Sequence, residues 1–383
     1  MEINYTYISS DSELKQLITS IHPGDTIFID FEFDKNHFRY GFNLCLVQLY
    51  FKEKCYLIDP LNELSIEQLF PVFEQEDILK VCFSFGEDLR LLHYLGCFPK
   101  GLIDLSVVRS LLNKPVLSLT NLISEVLGHD VGGSQQKSNW FLRPLTKAQC
   151  IYAAEDVVFL SKLYQQLMEE LESHQRVEWL REEMNFVVNQ DFSQEPVGFQ
   201  LKAKDRKEFK LWEWMRYEKL IEFRERIAIR VDRPSYKVIN KNYLIDLAKK
   251  NTPVSTWEAS KHVYPSYRNK QTRQKVVDLL NEVEEQIKRL EDPDLPAYEA
   301  KKAPLRLMNV YNRKQSSQFK ETFFDPLRPV LKEQYGEHFV NFAFSNRRIE
   351  AVCRGELELL PYQKTIFKTL ASQFKLSVPP FFG

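Results

Sequence analysis

Asp30 and Glu32 stand two residues apart in the run Thr26-Ile-Phe-Ile-Asp-Phe-Glu-Phe-Asp34. The run is β-branched and aromatic and reads as a buried strand. Side chains two apart leave the same face of the pleat, so both carboxylates point the same way. In apolar surroundings such a pair costs several kcal/mol unless a cation lies between them. Mg²⁺, which takes carboxylate oxygens and water, suits the pair; a strand end where both acids reach solvent fits the same pattern. Asp88 falls in the first turn of a helix that follows the short strand Leu79-Lys-Val-Cys-Phe83. The helix dipole favours an acid there, and the carboxyl end of a strand is also where α/β folds assemble sites. Tyr152 and Asp156, four apart on one helix face, are either a structural hydroxyl–carboxyl pair or part of a site.

The elements that must position these residues are legible from pattern and punctuation. Ser10–Glu13 is a capping box for a helix to Ile21. The strand at 26–34, Asn43–Phe51 and Lys54–Asp59 have short links and form an antiparallel meander. Ser65–Gln68 caps a helix to about Gln75, Ser84–Glu87 caps the helix carrying Asp88, and Thr146–Gln149 caps the long helix of Tyr152 and Asp156. A polar stretch from Gln190 to Gly198 is a linker. Residues 206–287 read as helices, with a break at Asp232-Arg-Pro234. Leu290–Pro296 marks a second boundary, and the stretch from Lys301 to Lys375 is helical. Leu376–Gly383 reads as a loose tail or docking peptide.

Composition separates these regions. Residues 1–200 hold 16 basic against 29 acidic side chains, a net of −13. Residues 201–280 hold 20 against 10, a net of +10, although the whole chain carries only −1. Acid clusters hold cations and a basic module holds a polyanion; a solvated surface, or a basic face docked on an acidic one, has the same balance. Trp212, Trp214, Tyr217 and Tyr243 interleave with the basic residues, a pattern that serves nucleic-acid stacking or, at helical spacing, a core. At 383 residues two or three domains are expected. No apolar run has spanning length, and six cysteines without a Cys-x-x-Cys pair point to a reducing, cytoplasmic setting without a membrane.

Three motifs together resemble the ribonuclease D group of DEDD-type 3′–5′ exonucleases, in its tyrosine subclass. They are Asp30-Phe-Glu32, Lys80-Val-Cys-Phe-Ser-Phe-Gly-Glu-Asp88-Leu-Arg-Leu-Leu92 and Tyr152-Ala-Ala-Glu-Asp156. Gln136-Lys-Ser-Asn-Trp-Phe-Leu-Arg-Pro-Leu145 resembles the family segment between the last two. Phe31 replaces the usual Thr, Phe83 a common His and Asn139 a common Asp. The resemblance implies an α/β, ribonuclease H-like exonuclease domain over 1–192, a mixed sheet flanked by helices. All-α HRDC-type helical domains follow, at 206–287 and, in degenerate form, at 295–376. It further implies two divalent ions, Mg²⁺ or Mn²⁺, about 4 Å apart. Asp30 bridges them, Glu32 and Asp156 complete the site of the attacking water, Asp88 holds the second ion, and Tyr152 orients the water. Phe31, Lys137, Trp140 and Arg143 are the expected substrate contacts; for Lys137 and Arg143 a surface ion pair is an equal alternative. The implied activity trims the single-stranded 3′ ends of structured RNA precursors, tRNA among them, and releases nucleoside 5′-monophosphates. A DNA exonuclease and a nucleic-acid-binding protein with an idle site are the rival readings.

Overall fold

The computed structural model describes residues 3–62, 64–129, 133–300 and 317–377. The expected start of the last helical stretch at Lys301, and the tail from Val378, lie outside them. The described residues form two compact units, one within 1–33, 44–194 and 306–383, the other within 34–43 and 195–305.

The first unit is built on a six-stranded sheet. Its strands are β1 (Tyr5–Ile8), β2 (Thr26–Lys35), β3 (Phe42–Phe51), β4 (Lys54–Ile58), β5 (Leu79–Cys82) and β6 (Leu102–Asp104), arranged β1-β4-β3-β2-β5-β6. β3 and β4 are antiparallel, as a two-residue link between them requires, and β1 lies parallel to β4. On the other side β2, β5 and β6 are parallel, with Thr26 opposite Leu79 and Phe28 opposite Val81. β2 is therefore where the meander meets the parallel half, and the carboxyl end of β5, just past the Phe28–Val81 pair, lies beside the middle of β2. β1, four residues at the edge, was too short for a periodic signal.

Helices α1 (Asp11–Thr19), α2 (Phe70–Glu74), α3 (Gly86–Tyr94), α4 (Leu105–Leu111), α5 (Leu119–Leu127), α6 (Lys147–Ser173) and α7 (Val177–Val188) complete this part of the unit. The boxes expected at Ser10 and Thr146 form. Ser65 makes no side-chain cap, because Asp11 takes both the Ser65 N–H and the Gln68 amide.

The described helices near the C-terminus, Asp325–Tyr335, Glu337–Ala343, Asn346–Cys353 and Pro361–Gln373, belong to this same unit. A separate third domain over 295–376 is thus not what forms. Glu183 of α7 explains the difference: it is buried, and two Arg348 nitrogens meet its two oxygens at 2.8 Å each. The Tyr362 hydroxyl donates to the same carboxylate at 2.5 Å, and the Tyr362 ring stacks on Trp179 at 5.0 Å.

The second unit holds α8 (Leu211–Val231), α9 (Ser235–Val238), α10 (Lys241–Ala248), α11 (Lys270–Ile287) and α12 (Ala297–Ala300). Asp232 ends α8 in the left-handed region, at the predicted break. Trp214, Tyr217, Tyr243 and Trp257 fill its core, while Trp212 is half-buried with Lys250 5.1 Å from its ring. Arg216 donates to the Leu247 and Ala248 carbonyls, both at 2.9 Å, and closes the end of α10. The segment 34–43 joins this unit through Asn36, which donates to the Val197 carbonyl at 2.7 Å, and Tyr40, whose N–H donates to Asp232.

Arg348→Ala leaves Glu183 buried without its cation. Urea unfolding should show a loss of about 3–5 kcal/mol, whereas an exposed pair such as Arg181–Glu178 should be worth no more than about 1 kcal/mol on the same measurement.

Candidate active site

Alternation along β2 divides its side chains between two faces. Ile27, Ile29 and Phe31 enter one core, where the Phe31 ring lies 5.8 Å from Phe73 and 5.5 Å from Phe85. Phe31 is therefore a packing residue and not the expected nucleotide contact; its apolar surface is already covered. Phe28, Asp30 and Glu32 take the other face, with Phe28 6.0 Å from Tyr164 of α6. Helix α6 lays Tyr152 and Asp156 over that face. One ligand oxygen from each of Asp30, Glu32 and Asp156 lies within 4.8 Å of the others. Glu32, Asp88 and Asp156 are buried and Asp30 is half-buried.

Asp88 arrives from α3, but not through the predicted Ser84 box. Ser84 sits at φ 55° and the N-cap is Phe85, without a side-chain cap of its own. Asp104, at the end of β6, accepts from the Ser84 and Phe85 N–H groups at 2.8 and 2.9 Å and from Ser106 at 2.8 Å. One carboxylate thus ties the tight turn before α3 to the start of α4. Sequence reading missed Asp104, since its partners lie up to 20 residues away.

Burial raises all four carboxyl groups. Asp30 is pushed up to about 7 in spite of a hydrogen bond from the Phe31 N–H. Glu32 rises well above the carboxylate range, from burial and then the charges of Asp30, Asp156 and Asp88. Asp88 and Asp156 rise likewise, from burial and then Asp30, although the Tyr152 hydroxyl offsets part of the rise at Asp156. Tyr152 itself is raised by burial and by Asp156, Glu32 and Asp30, and keeps its proton at neutral pH. Among the described residues no lysine or arginine offsets these charges. A cluster of hard oxygen donors with no protein cation is the donor set that Mg²⁺ or Mn²⁺ takes.

In the segment 136–145, Lys137 is exposed. Trp140 is 2% exposed, its ring 6.3 Å from Tyr152; it packs behind the tyrosine and offers no stacking face to a base. Arg143 spends all five N–H donors inside the protein. Two go to Asp59 at 2.5 and 2.7 Å, two to the Trp140 and Leu142 carbonyls, and one to the Cys45 carbonyl at 2.7 Å. Asp59, wholly buried, also accepts from Tyr7 at 2.5 Å. Arg143 is thus a clasp, neither a phosphate contact nor a surface pair, and Asp59 is the partner that sequence reading missed.

These shifts set a pH dependence. The folded, metal-free protein holds protons on the carboxyl cluster at pH values where the unfolded chain, with ordinary values near 4, has released them. Its stability should therefore fall as pH rises from about 4 through about 7, where Asp30 ionises. Thermal unfolding in EDTA near pH 5 and near pH 8 should show this fall in the wild type and a shallower one in Asp30→Asn, and Mn²⁺ should stabilise most at the higher pH. Equal slopes for the two proteins would contradict the assignment.

Comparison with known proteins agrees with this geometry. Residues 5–172 match a family described as 3′–5′ exonuclease. Ribonuclease D of Shewanella sp. strain ANA-3 is 31% identical over 181 residues, 47% of this chain and 46% of the relative. Ribonuclease D of Escherichia coli K12 is 31% identical over 173 residues, 45% and 46% of the two chains. The chain spans about half the length of these curated relatives. The crystal structure of Escherichia coli RNase D, described as an exoribonuclease involved in structured RNA processing, superposes with a TM-score of 0.67 at 20% identity. That superposition covers 97% of this chain and 100% of that one. The catalytic core of RRP6 from Trypanosoma brucei gives 0.63 at 19% identity, over 74% and 80%. The mixed sheet with its flanking helices has the fold of Escherichia coli RNase D, and residues 5–172 match a 3′–5′ exonuclease family and are similar in sequence to ribonuclease D.

Proposed function

We propose that the chain is a metal-dependent 3′–5′ exoribonuclease that trims the 3′ ends of structured RNA precursors, tRNA among them, releasing nucleoside 5′-monophosphates. The observation that carries this reading is the convergence of Asp30, Glu32 and Asp156 within 4.8 Å, with Asp88 and Tyr152 alongside and, among the described residues, no protein cation to neutralise them. Asp30, Glu32, Asp88 and Asp156 would hold two divalent ions, Mg²⁺ or Mn²⁺, which supply charge neutralisation at phosphorus and an acidified water. Tyr152 keeps its proton, so its hydroxyl can donate to Asp156 and accept from a water, aiming that water at the phosphorus. Lys137, exposed on the segment before Trp140, is available as a point charge for the scissile or the neighbouring phosphate.

Residues 206–287 fit an HRDC-type module that holds the polyanion. On its surface Arg226, Arg230 and Lys275 border a groove of about 390 Å³ between α8 and α11, with Tyr267 at its side and Asp278 and Glu282 also on its rim. A reducing, cytoplasmic setting agrees with cysteines that are all free thiols.

Single-stranded RNA and DNA of one sequence, labelled at the 5′ end, test the reading with Mg²⁺, Mn²⁺ or EDTA. A ladder shortening from the 3′ end is expected, faster on RNA, abolished by EDTA and by Asp156→Asn. Tyr152→Phe should lower kcat by about 10²-fold with little change in KM. Equal rates on DNA would move the substrate class, and no ladder with binding intact would mean an idle site.

A further inference from the structure

Gln48 of β3 is wholly buried, and neither its amide nitrogen nor its amide oxygen has a hydrogen-bond partner among the described residues. Buried amides are nearly always paired, and an orphaned one costs stability. Its position in the sheet says what it faces. Across β3 and β4, Gln48 stands opposite Leu57 and Tyr50 opposite Cys55. The Tyr50 ring lies 6.1 Å from Phe28 of β2, and Phe28 lies against Tyr164 of α6. Gln48 shares a face with Tyr50, and Asp30 shares one with Phe28, each pair being two residues apart. β2 and β3 are neighbours joined by residues 36–41, a link closed by the Asn36 N–H donating to the Gly41 carbonyl at 2.9 Å. So short a link makes a hairpin, hence an antiparallel pair. Two residues onward from Phe28 and two residues back from Tyr50 then run in the same direction. That brings Gln48 beside Asp30, beneath the helix that carries Tyr152 and Asp156.

We infer that Gln48 is a positioning residue of the carboxylate site, whose amide N–H donates to the Asp30 carboxylate when that group holds a divalent cation. The inference rests on the cation-binding reading of the four carboxylates. A glutamine suits this place better than the alternatives. A lysine would neutralise Asp30 and compete with the cation, and an aliphatic side chain would leave the carboxylate free to turn away. A neutral donor fixes the oxygen and preserves its charge, as partners behind metal ligands do elsewhere.

Gln48→Leu and Gln48→Met, made in the full chain, test this. Mn²⁺ binding followed by calorimetry and by the electron spin resonance of free Mn²⁺ should be about tenfold weaker in both variants. Their unfolding midpoints in EDTA should equal or exceed that of the wild type, because the orphaned amide is gone. The rate on RNA should half-saturate at correspondingly higher Mn²⁺ and approach a limit near that of the wild type. Affinity within about twofold of the wild type would overturn the inference and leave the cation reading standing. Failure of both variants to fold would make Gln48 a structural strut and overturn it as well. A folded wild type that binds no Mn²⁺ would remove the cation reading, and this inference with it.

Discussion

The carboxyl groups of Asp30, Glu32 and Asp156 converge in one desolvated corner beside the carboxyl end of β5, with Asp88 brought near from α3, and the surrounding structure is arranged to keep them there. Two unit charges 4.8 Å apart repel by about 3.5 kcal/mol at an effective dielectric of about 20. Three such pairs among Asp30, Glu32 and Asp156 approach the whole net stability of an ordinary domain, about 5–15 kcal/mol. Protons or a cation would relieve that repulsion: the raised values of all four groups express the first, and an oxygen-only donor set suits the second.

Three features resist the repulsion. Alternation on a strand buried on both faces locks Asp30 and Glu32 to one side, since turning them away would expel Phe31 from contact with Phe73 and Phe85. The 27-residue α6 packs Ala153, Ala154, Val157 and Leu160 into the core, and its register cannot slip without losing that packing. The Arg143 clasp joins β3, the end of β4 and the segment 140–142, which lays Trp140 behind Tyr152. A buried ion pair of this kind adds little net stability over apolar packing, but it fixes which surfaces meet.

The chemistry-bearing residues were legible because each obeys a short-range rule. A period of two gives Asp30 and Glu32 one face, a helix start after a strand gives Asp88, and i,i+4 spacing gives Tyr152 and Asp156. What supports them was not legible, because it is long-range. Asp59 and Arg143 are 84 residues apart, Glu183 and Arg348 are 165, and no local pattern marks either pair. The Ser84 box failed for a related reason: Asp104, at the end of a neighbouring strand, takes the Ser84 N–H that Glu87 would have accepted in the box. Aromatic residues were the other weak point. Phe31 and Trp140 have a side chain that serves a base or a core equally well, and only their burial decides between the two. Glutamine in a strand of Leu, Cys and Val carries a signal, since an amide there needs a reason, but the reason appears only once β2 lies beside β3.

The charge asymmetry of the chain is wider than this corner: residues 1–200 carry −13, of which the four carboxyl groups supply at most −4. Such a surface repels a polyanion over a Debye length of about 8 Å at physiological salt, so on the proposed reading a domain that cleaves phosphodiesters would be poorly suited to attracting them. Weakening the acid cluster would remove the proposed chemistry, and adding lysines around it would neutralise the carboxylates. A separate basic module on the same chain avoids both, and residues 201–280 carry +10. On the proposed reading, covalent attachment would turn capture by that module into a local concentration at the proposed site, an advantage that depends on the connecting chain and needs no contact at the site itself.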